Sequence, residues 1–435
     1  MTPCWRAVPA SSSFASGGVI HLKSDIVITE PFLTIAGQTA PGDGIVLSDF
    51  TVYVVADHVI IRHLRFRAAD SEHGGHAESR RSLRIGPRSE GAGARHVIVD
   101  HVSASWGIDQ TFDTKNSADV TVQWSMISES LSASLHVKAK DGKARRHGLA
   151  ALLSGGSRIT YHHNLFAHHQ GRVPMFDGQS ADFVNNVVYH WSAYATNLRA
   201  GSRVNFVKNY YKFGPENPAP ASPRARGIGI KDPTTRVYLQ GNCSDFTSQY
   251  CDGPAGPQED QWAMTYQFYS GPSPAPTHHR SPTRFPHSPV AEDSAAASYA
   301  RILAPGAVGA TRGANPDGTP KSARDATDAR VVASVINRTG GVIDKVYPAG
   351  PHHPWFPEGS PSDLPEGTFP AYETGSPYTD SDGDGIADPW EVSHGLDPLH
   401  PGDGNHYAAN GYTHVENYLN ELAGDRITGY GLVPP

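Results

Sequence analysis

Apolar and polar residues alternate along short runs of this chain, and the runs recur. "VIIRHLRF" from Val59, "VIVDHVSA" from Val97, "VTVQWSMI" from Val120, "ITYHHNLF" from Ile159, "FVNNVVYH" from Phe183, "FVKNYYKF" from Phe206 and "VYLQGNCS" from Val237 share one design. Period-two patterning rich in β-branched and aromatic residues predicts strands. Val97 to Val120 and Phe183 to Phe206 are steps of about 23 residues, while Val59 to Val97 and Val120 to Ile159 are steps of about 38 or 39. A coil of constant length with occasional long loops gives that mixture. Asn164, Asn186 and Asn209 keep the same step. Stacked at one corner, their amides would bond along the stack and satisfy backbone groups left over at a bend. The expectation is an all-β chain in which residues 19–252 form a right-handed, single-stranded parallel β-helix with an irregular C-terminal extension.

Composition changes this picture little. Glycine (44) and proline (35) are abundant in the 435 residues, as short strands joined by turns require. The formal net charge of −7 argues against nucleic acid as a partner. No apolar run approaches the length of a membrane span. Cys243 and Cys251 are close enough in sequence to close a small loop, which leaves Cys4 over.

The stretch from Ser157 to Phe176 holds His162, His163, His168 and His169. Neighbours on a regular strand face opposite ways, so His162 and His163 are not expected to share a metal. His63, His101 and His163 occupy the same place in their repeats, with Trp124 in a fourth, and a stacked column of rings is the expectation.

Read together, "LTIAGQTAPGDGI", "VIIRHLRFR", "VIVDHVSASWGIDQTFD", "ISESL", "ITYHHNLFAHHQGRVPMF" and "NNVVYHW" resemble the pectate lyase family over about residues 19–250. The resemblance implies a calcium-dependent polysaccharide lyase that cleaves uronate polymers, polygalacturonate above all, by β-elimination to 4,5-unsaturated products. A base removes the C5 proton and calcium on the neighbouring carboxylate spreads the developing charge. The family's base is an arginine followed two residues later by proline, which "GRVP" places at Arg172. Its acidic calcium pair falls on Asp109 and Asp113 of "WGIDQTFDT". Lys138, in the basic run "LHVKAKDGKARRH", and Arg199, in "NLRAG", match its sugar-binding cations. Two departures stand out. Where further acids are expected the chain reads "HAESRRSLRIG", with Ser79, Arg80 and Arg81, and Asp177 stands where a second arginine often follows the base.

The resemblance also bears on the ends. Residues 1–18 read as a truncated or mis-started N-terminus that lacks a capping helix and a signal peptide, although the enzyme is expected to be secreted and to act as a monomer. Residues 253–372, rich in Pro, Ala and Ser, are expected to pack along the β-helix with short helices at "AAASYARILAPGAVG" and "DARVVASVINRTGG". Residues 373–435 contain "DSDGDGIADPWE", in which Asp380, Asp382, Asp384, Asp388 and Glu391 match positions 1, 3, 5, 9 and 12 of an EF-hand loop. A structural calcium and a closing amphipathic helix at "GYTHVENYLNELAG" are expected there. Two alternatives stay open: a lyase of the same fold for another uronate polymer, and an inactive carbohydrate-binding β-helix.

Overall fold

The computed structural model describes residues 10–136, 146–244, 261–268, 275–346, 369–428 and 430. Among these, three parallel sheets of nine strands each follow one another around a right-handed coil. The first sheet begins at Ala10–Ser12 and the third ends at Thr265–Gln267, so the coil runs past the expected 19–252 at both ends. The repeats anticipated from the sequence fall in register. Val59, Val97, Val120 and Ile159 pair in succession, and the same column continues through Ala181, Val204 and Val237. All of them point inward and are buried. Their strand neighbours Ile60 and Ile98 point out and are exposed, as the period of two requires.

The corners are built by repetition too. Asn164 Nδ2 donates to Asn186 Oδ1 at 2.9 Å, Asn186 Nδ2 to Asn209 Oδ1 at 3.1 Å and Asn209 Nδ2 to Asn242 Oδ1 at 2.9 Å. Each Oδ1 also accepts the backbone N–H of the asparagine one coil before it. Asn242 extends the ladder beyond the three expected members, after a longer step. Immediately before this corner position, coil after coil, the backbone departs from the strand conformation. His63, His101, Trp124 and His163 have φ of 52°, 50°, 46° and 54°. Their rings stack, with centroids 4.9 Å apart for His63–His101, 6.1 Å for His101–Trp124 and 4.5 Å for Trp124–His163. A left-handed residue costs roughly 1–2 kcal/mol, and the stacking offsets part of this at every turn.

The extension docks through buried charge. Helix α1 spans Ala295–Ile302 and α2 spans Ala326–Asn337, matching the two helices expected. Arg67 on the second sheet is fully buried, and its guanidinium bonds Asp325 at 2.7 Å and Asp328 at 2.8 Å, the N-cap and first turn of α2. Arg330 on the same helix makes a bidentate pair with buried Glu129 of "ISESL". Further on, α3 spans Asp388–His394 and α4 spans His414–Leu422. Pro389 does not block α3, because a proline in the first turn forfeits only an N–H that has no partner there. A capping box between Thr413 and Glu416 opens α4. Its C-terminal end reaches the coil: Gln38 donates to the Leu419 carbonyl and Arg62 holds Asp425 at 2.7 Å.

Candidate active site

The candidate residues gather on the outer face of the third sheet. Three of its neighbouring strands are Leu83–Ile85, Gln110–Lys115 and Leu149–Ser154. Register places Arg84, Asp113, Leu152, Met175 and Asn197 in one outward column. Two residues further along each strand, Lys115, Ser154, Asp177 and Arg199 form the next outward column. Asp109 and Arg172 lie at the opposite, N-terminal ends of their strands. The Gly171–Leu149 bridge and the Ala151–Arg172 hydrogen bond put Arg172 two rungs from Asp109, roughly 10 Å at the ordinary strand spacing.

Asp109 and Asp113 do come together, but around an arginine. Arg81 reaches Asp109 Oδ2 with one nitrogen and Asp113 Oδ2 at 2.5 Å with another. Arg84 adds a 2.6 Å bond to Asp113 Oδ2, and Asp113 Oδ1 accepts the Leu152 N–H. Burial alone would raise the Asp109 carboxyl; the hydrogen bond from His147 and the charge of Arg81 overcome it and hold the group well below the usual carboxylate range. Arg81 is strengthened in turn: burial works against its charge, and Asp113 and Asp109 outweigh it. Arg80, the other arginine of that run, turns instead to the carbonyls of Ala69, Ser71 and Gly75.

This arrangement bears on the expected catalytic calcium. The ion needs six to eight oxygen ligands. Both Asp113 oxygens are already engaged, and two guanidinium groups balance the two carboxylates. A calcium ion held jointly by Asp109 and Asp113 does not fit, because it would have to displace Arg81 and lie against Arg84.

Arg172 itself sits at φ 53°, just ahead of the strand Met175–Asp177, and its Nε is buried with no hydrogen-bond partner among the described residues. Arg199 pairs with Asp177 at 2.6 Å. The residue after Ile230, Lys231, continues the same column beneath Arg199 and was not anticipated from the sequence. Burial, then the positive fields of Arg199 and Arg172, bring the Lys231 amine down to about 8. Its Nζ also lies 4.5 Å from the centre of the Phe268 ring. Arg199 and Lys231 thus stand one coil apart beyond Asp177, and the positive field of Arg172 reaches Lys231 from the other end of the strands. The only sequence signal for Lys231 was its place one coil below Arg199. Lys138 lies outside the described residues, as do Cys4 and Cys251; Cys243 is disulfide-bonded.

The four histidines have structural partners. His168 shares hydrogen bonds with His190 and with Ser334 of α2, and His169 with Ser130 and the Ile127 carbonyl. His162 and His163 do approach each other, Nδ1 to Nδ1 at 3.0 Å, because the strand ends at His162 and His163 takes the left-handed bend. Burial first, then its neighbour His163, lowers the His162 ring to about 4.

At the C-terminus, Asp382, Asp384 and Glu391 converge with Asp403, each offering an oxygen within 4.8 Å of the others. Glu391 is fully buried with neither oxygen bonded, and Asp382 Oδ2, Asp384 Oδ2 and Asp403 Oδ1 are equally unpartnered among the described residues. Burial and the neighbouring acids Asp384, Asp382 and Asp403 push Glu391 up to about 8. Asp380 instead accepts the N–H groups of Gly383 and Gly385, and Asp388 holds Ser381, so both shape the turn.

A family model described as pectate lyase matches residues 23–256. The relative "Probable pectate lyase C" of Aspergillus terreus is 29% identical over 426 residues, covering 94% of this chain and 83% of that protein. Its counterpart in Aspergillus fumigatus is 29% identical over 421 residues, covering 94% and 82%. Among solved structures, pectate lyase II of Xanthomonas campestris pv. campestris aligns at 19% identity with a TM-score of 0.40, over 70% of this chain and 81% of that one.

Proposed function

The chain belongs to the pectate lyase family, and from that premise we propose that it cleaves polygalacturonate by β-elimination on the outer face of its third sheet. The observation that carries the reading is that Arg199 and Lys231 stand one coil apart, with the positive field of Arg172 reaching Lys231. A polyuronate presents a carboxylate on every sugar, and Arg199 and Lys231, one coil apart, match two successive carboxylates of such a chain. Arg199 and Lys231 hold substrate carboxylates. Arg172 takes the C5 proton as the general base; the electron pair left on C5 forms the C4–C5 double bond as the C4–O4 bond breaks, and the departing O4 takes a proton from water. Each cation also steadies the negative charge that builds on the carboxylate as the proton leaves. No step is routed through a calcium ion at Asp109 and Asp113.

Calcium has one place in this reading, away from the third sheet. A structural ion is held by Asp382, Asp384 and Glu391 of the C-terminal loop together with Asp403, supported by the unpartnered buried oxygens that converge there. The enzyme acts outside the cell, where its polymer lies; the disulfide at Cys243 agrees with an oxidising compartment.

One observation favours the second reading, a lyase for another uronate polymer: Asp177, tied to Arg199, brings negative charge beside these cations. The test is ultraviolet absorbance of the conjugated unsaturated uronate, followed over polygalacturonate, methylated pectin, glucuronan and alginate. Absorbance growing fastest on polygalacturonate supports the assignment, and a faster rise on another polymer transfers it there. Binding without any absorbance on all four would leave only a carbohydrate-binding β-helix.

A further inference from the structure

A second cluster of metal-binding side chains lies at the foot of the same sheet. Asp109, His136 and His147 each place one donor atom so that all three fall within 4.8 Å of one another. His147 Nε2 is 2.9 Å from Asp109 Oδ1, and the rings of His136 and His147 have centroids 4.0 Å apart at an angle of 55°. His136 is 3% exposed and Asp109 8%. Backbone bonds hold His147 in place: its N–H donates to the Ser132 carbonyl at 2.7 Å, and the Gly148 N–H donates to the Gln170 side chain, two residues before Arg172. Arg81 occupies Asp109 Oδ2, so Oδ1 is the oxygen turned toward the imidazoles, where Gln110 Nε2 also reaches it.

We infer that Asp109, His136 and His147 bind a divalent first-row transition metal, with zinc and cobalt(II) as the probes. The choice of metal follows from the donors. Calcium gains nothing from imidazole nitrogen, whereas zinc and cobalt bind a set of two imidazoles and one carboxylate well and leave a fourth position open. Neutral imidazoles add no charge of their own. With Arg81 beside Asp109 the nitrogens must therefore supply most of the affinity. The open position would take water or a carboxylate oxygen. The alternative is simpler: a hydrogen bond from His147 to Asp109 and a second buried ring packed on it.

The test needs no substrate, so it succeeds or fails apart from the lyase reading. The full chain, freed of metal, is titrated with cobalt(II) and followed by visible absorption, with zinc displacement by calorimetry. The inference expects one equivalent of cobalt with the strong visible bands of a nitrogen-ligated site of low coordination number. It expects binding weakened by more than about tenfold in His136→Gln and again in His147→Gln. It expects no change in those bands in Asp382→Asn/Glu391→Gln, which removes the oxygen-only cluster. Circular dichroism and melting confirm that each variant is folded. Should either histidine variant fail to fold, the wild-type titration still decides, since weak oxygen-type bands alone overturn the inference. Bands that persist unchanged in both folded histidine variants overturn it as well, and leave the hydrogen-bonded pair.

Discussion

Arg81 shows how one residue redirects a site. On the family pattern an acid belongs near it; as arginine it closes a buried network with Asp109, Asp113 and Arg84. Breaking such a network by removing one partner strands a charge, which costs about 3–5 kcal/mol. The run of arginines was plain in the sequence, but which of them faced the acids was not. Arg80 and Arg81 are neighbours with opposite fates, decided in the irregular segment that leads into the strand Leu83–Ile85. The same holds for Lys231, which carries no motif and becomes visible only when its coil is laid under Arg199. Two predictions belong at this scale. Arg172→Ala should abolish elimination while polygalacturonate binding stays within about tenfold, because a base acts mainly in the transition state; an Ala variant with near-normal turnover would remove Arg172 from the mechanism. Lys231 should impose a pH dependence on binding. Its amine, lowered to about 8 by burial and by Arg199 and Arg172, with Asp177 opposing them, is charged below that pH and neutral above it. KM for polygalacturonate should therefore rise above pH 8. In Lys231→Arg, where the cation does not titrate, the rise should vanish. Superimposable profiles for the two proteins would show that Lys231 holds no substrate carboxylate.

At the scale of elements, repetition made the fold legible. The alternating runs marked the columns of the first sheet, and the spacing of Asn164, Asn186 and Asn209 marked a corner, because each coil must solve the same bend with the same side chain. Asn242 escaped notice since a longer loop precedes it, and the contact of His162 with His163 escaped because a left-handed residue breaks the alternation that pattern reading assumes. The docking of α2 was legible as a helix and not as an interface: nothing local in Arg67 announces that Asp325 and Asp328, far along the chain, will cover it. The ladder carries a prediction. Asn186 accepts from the Asn164 backbone and side chain and donates to the Tyr161 carbonyl and to Asn209. Asn186→Ala leaves these buried groups unpaired, at roughly 1–3 kcal/mol for each group stranded. Chemical denaturation should show a loss of at least about 2 kcal/mol. An unchanged midpoint would mean that water replaces the amide and the ladder holds little.

The whole molecule has two cation questions, and they separate in space. The third sheet places guanidinium groups where a calcium ion was expected, while the C-terminal loop gathers four carboxylates with no cation of the protein among them in the described residues. Glu391 and Asp384 show the consequence, their carboxyls pushed up to about 8 and about 6 by burial and by the neighbouring aspartates. The loop's motif was legible, yet the grouping of Asp382, Asp384 and Glu391 with Asp403 was not, because Asp403 comes from a turn beyond α3, while Asp380 and Asp388 bond N–H and hydroxyl groups within the loop. The helix α3 that carries Glu391 packs on α4 through Trp390 and Tyr418, and α4 reaches the coils through Leu419 and Asp425. An ion that binds the folded cluster and not the unfolded chain must stabilise this end, by about 2.7 kcal/mol at a hundredfold excess over its dissociation constant. Melting should thus rise with calcium in the wild type. Asp382→Asn/Asp384→Asn should lose most of that rise, and Asp403→Asn should lose part of it, with turnover at low temperature nearly intact in both. Asp113→Asn should behave in the opposite way: its calcium-dependent rise should persist, while Arg81 and Arg84, left without their carboxylate, lower both basal stability and activity. The measurement is melting and initial rate for the four proteins across one calcium titration. A rise in melting that survives in Asp382→Asn/Asp384→Asn and disappears in Asp113→Asn would put the ion back on the third sheet and refute the division.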